Sequence, residues 1–317
     1  MERKGTGKLR EINDQKVIDY FIRYKVGTKK EIAESTKLSV MTIGTILNDF
    51  VQEKIIRENE MIYPQKGRPT MQFQLNPNYY HLLLIIVKKE SFTYVIKDAL
   101  NQILRTETEK RIVDGNYLVS FVEKHIKEDS YIQKVGMGLP AVISNNQIIE
   151  SDIPQLKEYP LVKRIQEKKD IEVLLYNDMK CSAYGYYQQM IKQENISFIL
   201  FSKDIVPGVG SVIDGKILNG KNGIAGEVIY LPMFHYLKKK TFASSFDYVI
   251  QVLVTLISVL NPHILVLSGN YIDDLEEIEE GLKEYIPDDF IPQIVYVKEY
   301  DEYYLNGLQQ VLIETIL

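Results

Sequence analysis

Beyond residue 80, short apolar runs alternate with helical patterns. The run Leu82 to Val87 is typical of a buried strand, and the alternating run Phe92 to Ile96, followed by a turn at Asp98 to Asn101, indicates a strand paired with it. The same order begins again with Ser197 to Phe201 and Val209 to Ile213. The pattern also predicts helices near Tyr117 to Lys127, Ser244 to Leu260 and Asp274 to Tyr285, and strands near Lys134 to Pro140, Ile171 to Leu175, His263 to Ser268 and Gln293 to Lys298. We therefore expect a mixed-sheet α/β fold in two similar halves.

Composition excludes several other classes of protein. Of the 317 residues, 45% are apolar and 26% are charged, which excludes a disordered or collagen-like chain. The single cysteine, Cys181, cannot form an internal disulfide. No apolar signal-peptide core follows Met1 to Lys4, and the longest apolar stretch, Val249 to Leu260, is much shorter than the ~20 residues that span a bilayer. We expect a soluble cytoplasmic protein without a membrane partner.

The net charge of −5 is distributed unevenly. Residues 1–70 carry 14 Lys and Arg against 10 Asp and Glu, whereas the rest of the chain carries 24 against 33. A basic module on an acidic body can present one attractive face to phosphates. An excess of this size is also ordinary for a small domain, so charge alone does not identify a nucleic-acid partner.

Residues 13–51 carry signals for three helices. Apolar residues at helical spacing predict a first helix over residues 14–25, which Gly27 ends. Thr28 to Glu31 forms a capping box that opens a short second helix. After a tight turn at Ser35 to Leu38, Ser39 caps a third helix. This is the helix-turn-helix layout, in which the last helix enters the major groove.

The third helix has an apolar side and a small, uncharged polar side. Polar groups of this size can offer both donors and acceptors to base edges, and a methionine can cover a thymine methyl group. We therefore predict DNA contacts at Ser39, Met41, Thr42, Thr45 and Asn48. The alternative interpretation is a three-helix interaction module whose polar side is solvated.

Two short β-prone runs follow the third helix. Ile55 to Arg57 and Met61 to Tyr63 surround Glu58-Asn59-Glu60, which predicts a hairpin of the kind that forms a wing against the DNA backbone. The Gly- and Pro-containing segment after it carries Lys66 and Arg68, and an arginine on an extended segment suits the narrow minor groove. We predict that residues 1–70 are a winged helix-turn-helix domain with its linker.

Two features of the later chain indicate a ligand site. Asn177-Asp178 occurs where a predicted strand gives way to a helix, which is where α/β sheets present ligand-binding groups. Six glycines lie between residues 208 and 226, and such a density lets the backbone approach a ligand closely. Glu227 follows them as a hydroxyl acceptor, although glycines also form ordinary hairpin turns.

With these pieces in this order, the chain resembles transcriptional regulators of the ROK (repressor, open reading frame, kinase) family, in particular its xylose-repressor-like branch. The resemblance covers nearly the whole chain. It rests on the predicted winged helix and on Gly67-Arg68-Pro69, Gly138-Leu139-Pro140, Asn177-Asp178, Gly223 to Glu227 and Asn261-Pro262. The resemblance implies a two-lobed, actin-like body of the sugar-kinase type, with Gly138, Asn177, Asp178 and Glu227 around a sugar.

The chain also departs from the family pattern. Kinase members carry phosphate-binding glycines after the first strand, whereas this chain has Lys88-Lys89-Glu90-Ser91 there. Tyr230 occupies the position of a zinc-binding histidine, and residues 231–245 contain no cysteine, so we expect neither the family's zinc nor another cofactor. Tyr230 is a further predicted effector contact, and Ala141 replaces the second glycine of the GxPG turn.

We predict a non-enzymatic transcriptional regulator, most simply a repressor of carbohydrate-related genes. A duplex operator, a sugar or sugar-derived effector and a second copy of the chain are its expected partners. Residues 71–317 would bind the effector and form the homodimer, with Val249 to Leu260 supplying interface or core. Two alternatives stay open: a sugar kinase with a DNA-binding head, and a regulator whose cleft no longer binds sugar.

Overall fold

A computed structural model describes residues 4–63, 68–190, 194–202, 206–237, 246–269 and 274–315. These residues form an N-terminal unit and a body with two five-stranded sheets. Across these ranges, no helix combines the length and apolar character needed to cross a membrane.

The N-terminal unit combines three helices with a three-stranded antiparallel sheet. In chain order its elements are helix α1 (Lys4–Tyr24), strand β1 (Val26–Thr28), helices α2 (Lys29–Thr36) and α3 (Val40–Gln52), and strands β2 (Ile56–Ile62) and β3 (Thr70–Leu75). Strand β3 lies between β1 and β2. The predicted capping box is confirmed, because the Glu31 amide donates to the Thr28 hydroxyl (3.3 Å) and the Thr28 amide donates to the Glu31 carboxylate (2.7 Å).

Two sequence predictions for this unit are wrong. Helix α1 begins at Lys4 and not near residue 14, and Arg10 secures its early part through an ion pair with Asp49 of α3 (2.7 Å). Glu58 to Glu60 lies inside strand β2 and forms no turn, because β2 is an edge strand whose polar side chains face solvent. Strand β3 continues the sheet to Leu75, past the boundary predicted at residue 70.

The first lobe of the body contains one five-stranded sheet. Its elements are β4 (His81–Val87), β5 (Phe92–Asp98), β6 (Ile103–Glu109), α4 (Gly115–Glu128), β7 (Ile132–Leu139), β8 (Ala141–Ser144), β9 (Gln147–Ser151), α5 (Leu161–Gln166) and β10 (Glu172–Asn177). The sheet order is β10-β7-β4-β5-β6. Strand β7 pairs in parallel with both β10 and β4, whereas β5 pairs antiparallel with both β4 and β6. Strands β8 and β9 form a separate hairpin.

The second lobe repeats this arrangement. Helix α6 (Asp178–Gln189) begins at the end of β10 and connects the two lobes. The elements of the second lobe are β11 (Ile196–Phe201), β12 (Gly208–Ile213), β13 (Lys216–Ile217), α7 (Pro232–Leu237), α8 (Phe246–Leu260), β14 (Ile264–Gly269), α9 (Leu275–Lys283), β15 (Gln293–Tyr296) and α10 (Asp301–Glu314). The sheet order β15-β14-β11-β12-β13 matches that of the first lobe strand for strand. The predicted mixed α/β fold in two similar halves is confirmed.

Helices α6 and α10 pack against each other in the middle of the body. A Cβ atom on Gly185 of α6 would lie 1.8 Å from the Tyr303 carbonyl oxygen, and one on Gly307 of α10 would lie 1.8 Å from the Cys181 carbonyl oxygen. The two backbones therefore touch at glycines. Cys181 is buried in this layer.

The N-terminal unit packs directly on the first lobe. The ammonium of Lys25, at the end of α1, donates to the Tyr80 hydroxyl at 3.3 Å, and burial lowers the pKa of Lys25 to about 8. The Ala99 amide, after β5, donates to the Pro77 carbonyl at 3.0 Å. One apolar cluster runs from Phe21 and Leu75 into the body. A movement of this part of the first lobe therefore reaches the N-terminal unit through packed contacts.

Candidate functional site

A cavity of about 430 Å³ opens between the two lobes. From the first lobe its wall includes Lys88 after β4, Ala141 after β7 and Asp178 after β10. The second lobe contributes Ser202, after β11, and Glu227. Open α/β sheets bind ligands at the carboxyl ends of their parallel strands. This cavity is therefore the candidate ligand site.

Asn177 and Asp178 are held in place by the first turn of α6. The Asn177 side-chain oxygen accepts from the Lys180 amide (2.9 Å), and its amide group donates to the Ala141 carbonyl (3.0 Å). Asp178 Oδ1 accepts from the Met179 amide (2.8 Å). A carboxylate or amide oxygen can accept further hydrogen bonds, so both residues keep acceptor capacity for a ligand.

Four carboxyl groups line the cavity: Glu150, Asp152, Asp178 and Glu227. Burial, together with the charges of Asp152 and Glu227, raises the pKa of Asp178 to about 7. Burial also raises the pKa of Glu227 to about 6, although Lys180 opposes the shift. It raises the pKa of Asp152 as well, against the effect of Lys89. Near neutral pH, Asp178 is thus able to donate a hydrogen bond as well as accept one.

Glu227 reaches the cavity at the end of the glycine-rich loop. Gly226 has a φ of +90°, and a Cβ there would lie 2.4 Å from the Val209 carbonyl oxygen, so this position requires glycine. The Lys180 ammonium donates to the Gly223 carbonyl at 2.6 Å and fixes the loop to α6. The loop is therefore fastened at two points immediately before Glu227.

Sequence reasoning missed Asp152, which lines the cavity, and Lys180, which holds the glycine-rich loop without lining the cavity. Lys180 is 3% exposed, and burial lowers its pKa while Glu227 opposes that change. Its position in the first turn of a helix that opens at a ligand site was the available signal. Asp152 follows strand β9, and nothing local predicts that the hairpin folds over the cavity. Within the described ranges, no cluster of three or more His, Cys, Asp or Glu residues is suited to a metal ion.

Of the five residues predicted to bind an effector, Gly138 does not line the cavity. A Cβ on Gly138 would lie 2.3 Å from the Tyr304 ring, so the glycine makes room for a buried tyrosine of α10. Tyr230 does line the cavity, and its side chain is 61% exposed. Ala141 belongs to the same wall. The cavity thus brings together Asn177, Asp178, Glu227 and Tyr230.

The turn from β4 to β5 closes one end of the cavity. Its first residue, Lys88, donates its backbone amide to the Ser91 carbonyl at 2.8 Å. The Lys88 ammonium pairs with Asp301 and lies 4.8 Å from the centre of the Tyr300 ring. Lys89 follows on the exposed side of the turn and also lines the cavity. Neither residue allows the close backbone approach that glycine gives.

The residues predicted to contact DNA lie mostly on α3. Met41 is 85% exposed, and Gly44, Thr45 and Asn48 share its face, with Thr45 and Asn48 exposed. Ser39 and Thr42 are engaged with each other at the start of α3, where the hydroxyl of Ser39 accepts from the Thr42 amide at 3.1 Å. Arg68 is exposed just before β3, and Lys66 lies outside the described residues.

Comparison with known proteins shows which family the body resembles. The profile of the ROK family matches residues 83–234. A xylose repressor of Caldicellulosiruptor bescii is 23% identical over 234 residues, a match that covers 69% of this chain and 58% of that protein. The chain spans less than two thirds of the length of the curated repressors that it resembles.

Solved structures show the same fold. A ROK family transcriptional regulator, described as a homolog of the Escherichia coli MLC protein, aligns with a TM-score of 0.64 at 15% identity, over 97% of this chain and 96% of that one. A ROK hexokinase from Thermus thermophilus aligns with a TM-score of 0.56 at 15% identity, over 74% of this chain and 99% of the kinase. The body therefore has the two-lobed fold that ROK regulators and ROK sugar kinases share.

Proposed function

Because the chain contains a ROK family domain, we propose that it is a DNA-binding transcriptional regulator whose operator affinity is controlled by a sugar or sugar derivative. Repression of carbohydrate-related genes in the cytoplasm is the simplest form of this function. The similarity to curated xylose repressors supports it. The regulator of solved structure supports it too, since the alignment covers the N-terminal unit as well as the body.

The exposed face of α3 is the observation that carries the DNA-binding part of the proposal. Helices α2 and α3 with their connecting turn have the helix-turn-helix layout, and strands β2 and β3 correspond to a wing. Met41, Thr45 and Asn48 project from α3 without packing into the core. An apolar side chain beside small polar ones can contact both thymine methyl groups and the hydrogen-bonding groups of base edges. We assign residues 1–75 to this domain.

The cavity supports sugar binding. Asp178 and Glu227 offer carboxyl oxygens from opposite lobes, and Asn177 adds an amide oxygen. Such groups are good partners for hydroxyls, which both donate and accept. A ligand that contacts both lobes favours the closed arrangement and can shift the winged helix that packs on the first lobe.

A sugar kinase is the second candidate, and one observation favours it. A carboxylate whose pKa lies near 7 in a cleft suits a general base for a sugar hydroxyl, and Asp178 meets that description. Against it, the turn after β4 has Lys88 and Lys89 and no glycine, so the backbone cannot wrap the phosphates of a nucleotide. We therefore propose that the protein is not an enzyme.

The chain is proposed to act as a homodimer, because a symmetric pair of winged helices reads two half-sites. Helix α8 supplies mainly core to the second lobe, with Val249, Leu253 and Leu256 buried. Val259, at its end, is 74% exposed and is available to a neighbouring subunit. Light scattering at micromolar concentration should give twice the mass of the chain, and a monomer would contradict the dimer.

Selection of random duplexes by the full chain tests the DNA-binding proposal. We expect a two-half-site sequence to be enriched and to bind at least about 10³-fold tighter than a scrambled duplex. Asn48→Ala should relax the preference at one base position per half-site, whereas Gln189→Ala, in the body, should not. Sugar-dependent ATP turnover that disappears in Asp178→Asn would favour the kinase instead.

A further inference from the structure

The β4–β5 turn places two consecutive lysines, Lys88 and Lys89, at one end of the cavity, with Asp152 near enough to Lys89 for their charges to interact. Lys88 is half-buried and is held by Asp301 and by the Tyr300 ring. An ammonium has three donors, so one ion pair leaves others available. The contacts with Asp301 and Tyr300 therefore set the position of the Lys88 ammonium before any ligand binds, and the ammonium still has donors to offer.

Lys89 is the freer of the two lysines. In the part of the chain that the structure describes, it makes no ion pair within 4.0 Å. Asp152 lies near enough to feel its charge, and Glu150, the other acidic residue of this wall, is already paired with Lys157 at 2.9 Å. The cavity thus contains a cation whose charge no partner fully neutralises.

The distance between the two ends of the cavity suits a monosaccharide. Only β7 separates β4 from β10, so the carboxyl ends of these strands, where Lys88 and Asp178 lie, are two strand spacings apart, roughly 10 Å. A monosaccharide that hydrogen-bonds Asp178 and Glu227 is long enough to place a substituent on its far side near the lysines. A neutral hydroxyl there would gain little, whereas an anionic group would make charge-assisted hydrogen bonds.

We infer that Lys88 and Lys89 form an anion subsite and that the effector is an acidic monosaccharide, carrying a phosphate or a carboxylate on the carbon farthest from Asp178. The inference rests on the proposed function, because it assumes that the cavity binds a sugar. Beyond that function, the inference states that the sugar is an anion and that Lys88 and Lys89 select it.

Titration calorimetry with the full chain tests the subsite. The probes are glucose, mannose and galactose, each as the free sugar, the 6-phosphate and the uronate. We expect an acidic form to bind at least about tenfold tighter than the matching free sugar, with an affinity that falls as salt rises. Preference for phosphates or for uronates identifies which acidic group the subsite takes.

Substitutions then assign the effect to the turn. Lys89→Gln should weaken the acidic sugar about tenfold and leave a free sugar unchanged, and Lys89→Arg should restore binding. Lys110→Gln removes an exposed charge outside the cavity and should change neither the affinity for the acidic sugar nor the affinity for the free sugar. Equal binding of free and acidic sugars, or an unchanged Lys89→Gln, overturns the subsite while the proposed function survives. If no member of the panel binds, the subsite and the sugar-binding part of the proposed function fail together.

Discussion

Gly44 offers a test in which stability and DNA binding should change in opposite directions. It lies in the interior of α3, on the same face as Met41, Thr45 and Asn48. A Cβ atom at Gly44 would find only the Lys29 ammonium within 4 Å, at 3.9 Å. The fold therefore has no steric need for glycine at this position.

Gly44→Ala should stabilise the free protein. Alanine loses less backbone entropy than glycine in a helix, which is worth about 0.5–1 kcal/mol when no atom obstructs the methyl group. Near the midpoint, 1 kcal/mol corresponds to about 2–4 °C in a domain of 150–250 residues. Thermal unfolding of the variant and the wild type, without DNA, measures this part.

The same methyl group should weaken DNA binding. If α3 lies in the major groove, the added carbon enters a packed interface, and overpacking costs about 1–3 kcal/mol, or about 5- to 150-fold in affinity. Fluorescence anisotropy with the selected duplex measures it. Ser120→Ala, on an exposed face of α4, should stabilise the protein without changing DNA affinity. A Gly44→Ala variant that is more stable and binds the duplex as tightly as the wild type would refute close contact at this face.

Three further predictions concern the body. Glu227→Gln should keep duplex affinity but abolish the response to an identified effector, measured by anisotropy; a normal response would remove Glu227 from the site. The pKa of Asp178 is about 7 in the folded protein, against an ordinary value of 3.8, so between these pH values the folded state keeps a proton that the unfolded chain releases. The free energy of unfolding should therefore fall as pH rises from ~4 to ~7. The full pKa difference corresponds to at most about 4 kcal/mol, and solvent screening at this partly exposed side chain reduces that value. Asp178→Asn should flatten that dependence in urea titrations, and an unchanged profile would assign the titration to another group. Gly185→Ala should cost about 3 kcal/mol or more, because its Cβ would meet the Tyr303 carbonyl oxygen at 1.8 Å; wild-type stability would contradict the close helix contact.

Local signals predicted the starts of α2 and α3 and the buried strands well. The capping box at Thr28 to Glu31 and the cap at Ser39 each depend on residues within one helical turn, and both are present. The alternation of apolar runs predicted two similar halves because the central strands of each sheet are buried on both faces. Strand β6 was missed, since it is an exposed edge strand without an apolar run.

Features that depend on distant contacts could not be predicted in the same way. Glu58 to Glu60 has the composition of a turn, yet pairing with β3 keeps it extended. Gly138 was predicted to contact an effector, but its neighbour is Tyr304, which lies far along the sequence in the other half. Asp152 joins the cavity wall only because the β8–β9 hairpin folds over the cavity, so no local pattern identifies it.

The central claim is that occupancy of the cavity controls DNA affinity. Its most direct test is a thermodynamic cycle with the full chain, the selected duplex and the monosaccharide that gives the largest thermal shift. Duplex affinity is measured with and without the sugar, and sugar affinity is measured with and without the duplex. We predict that both affinities change by the same factor, in the range of about 5- to 150-fold, because coupling between two sites is reciprocal. Sugar binding that leaves duplex affinity unchanged would contradict the account.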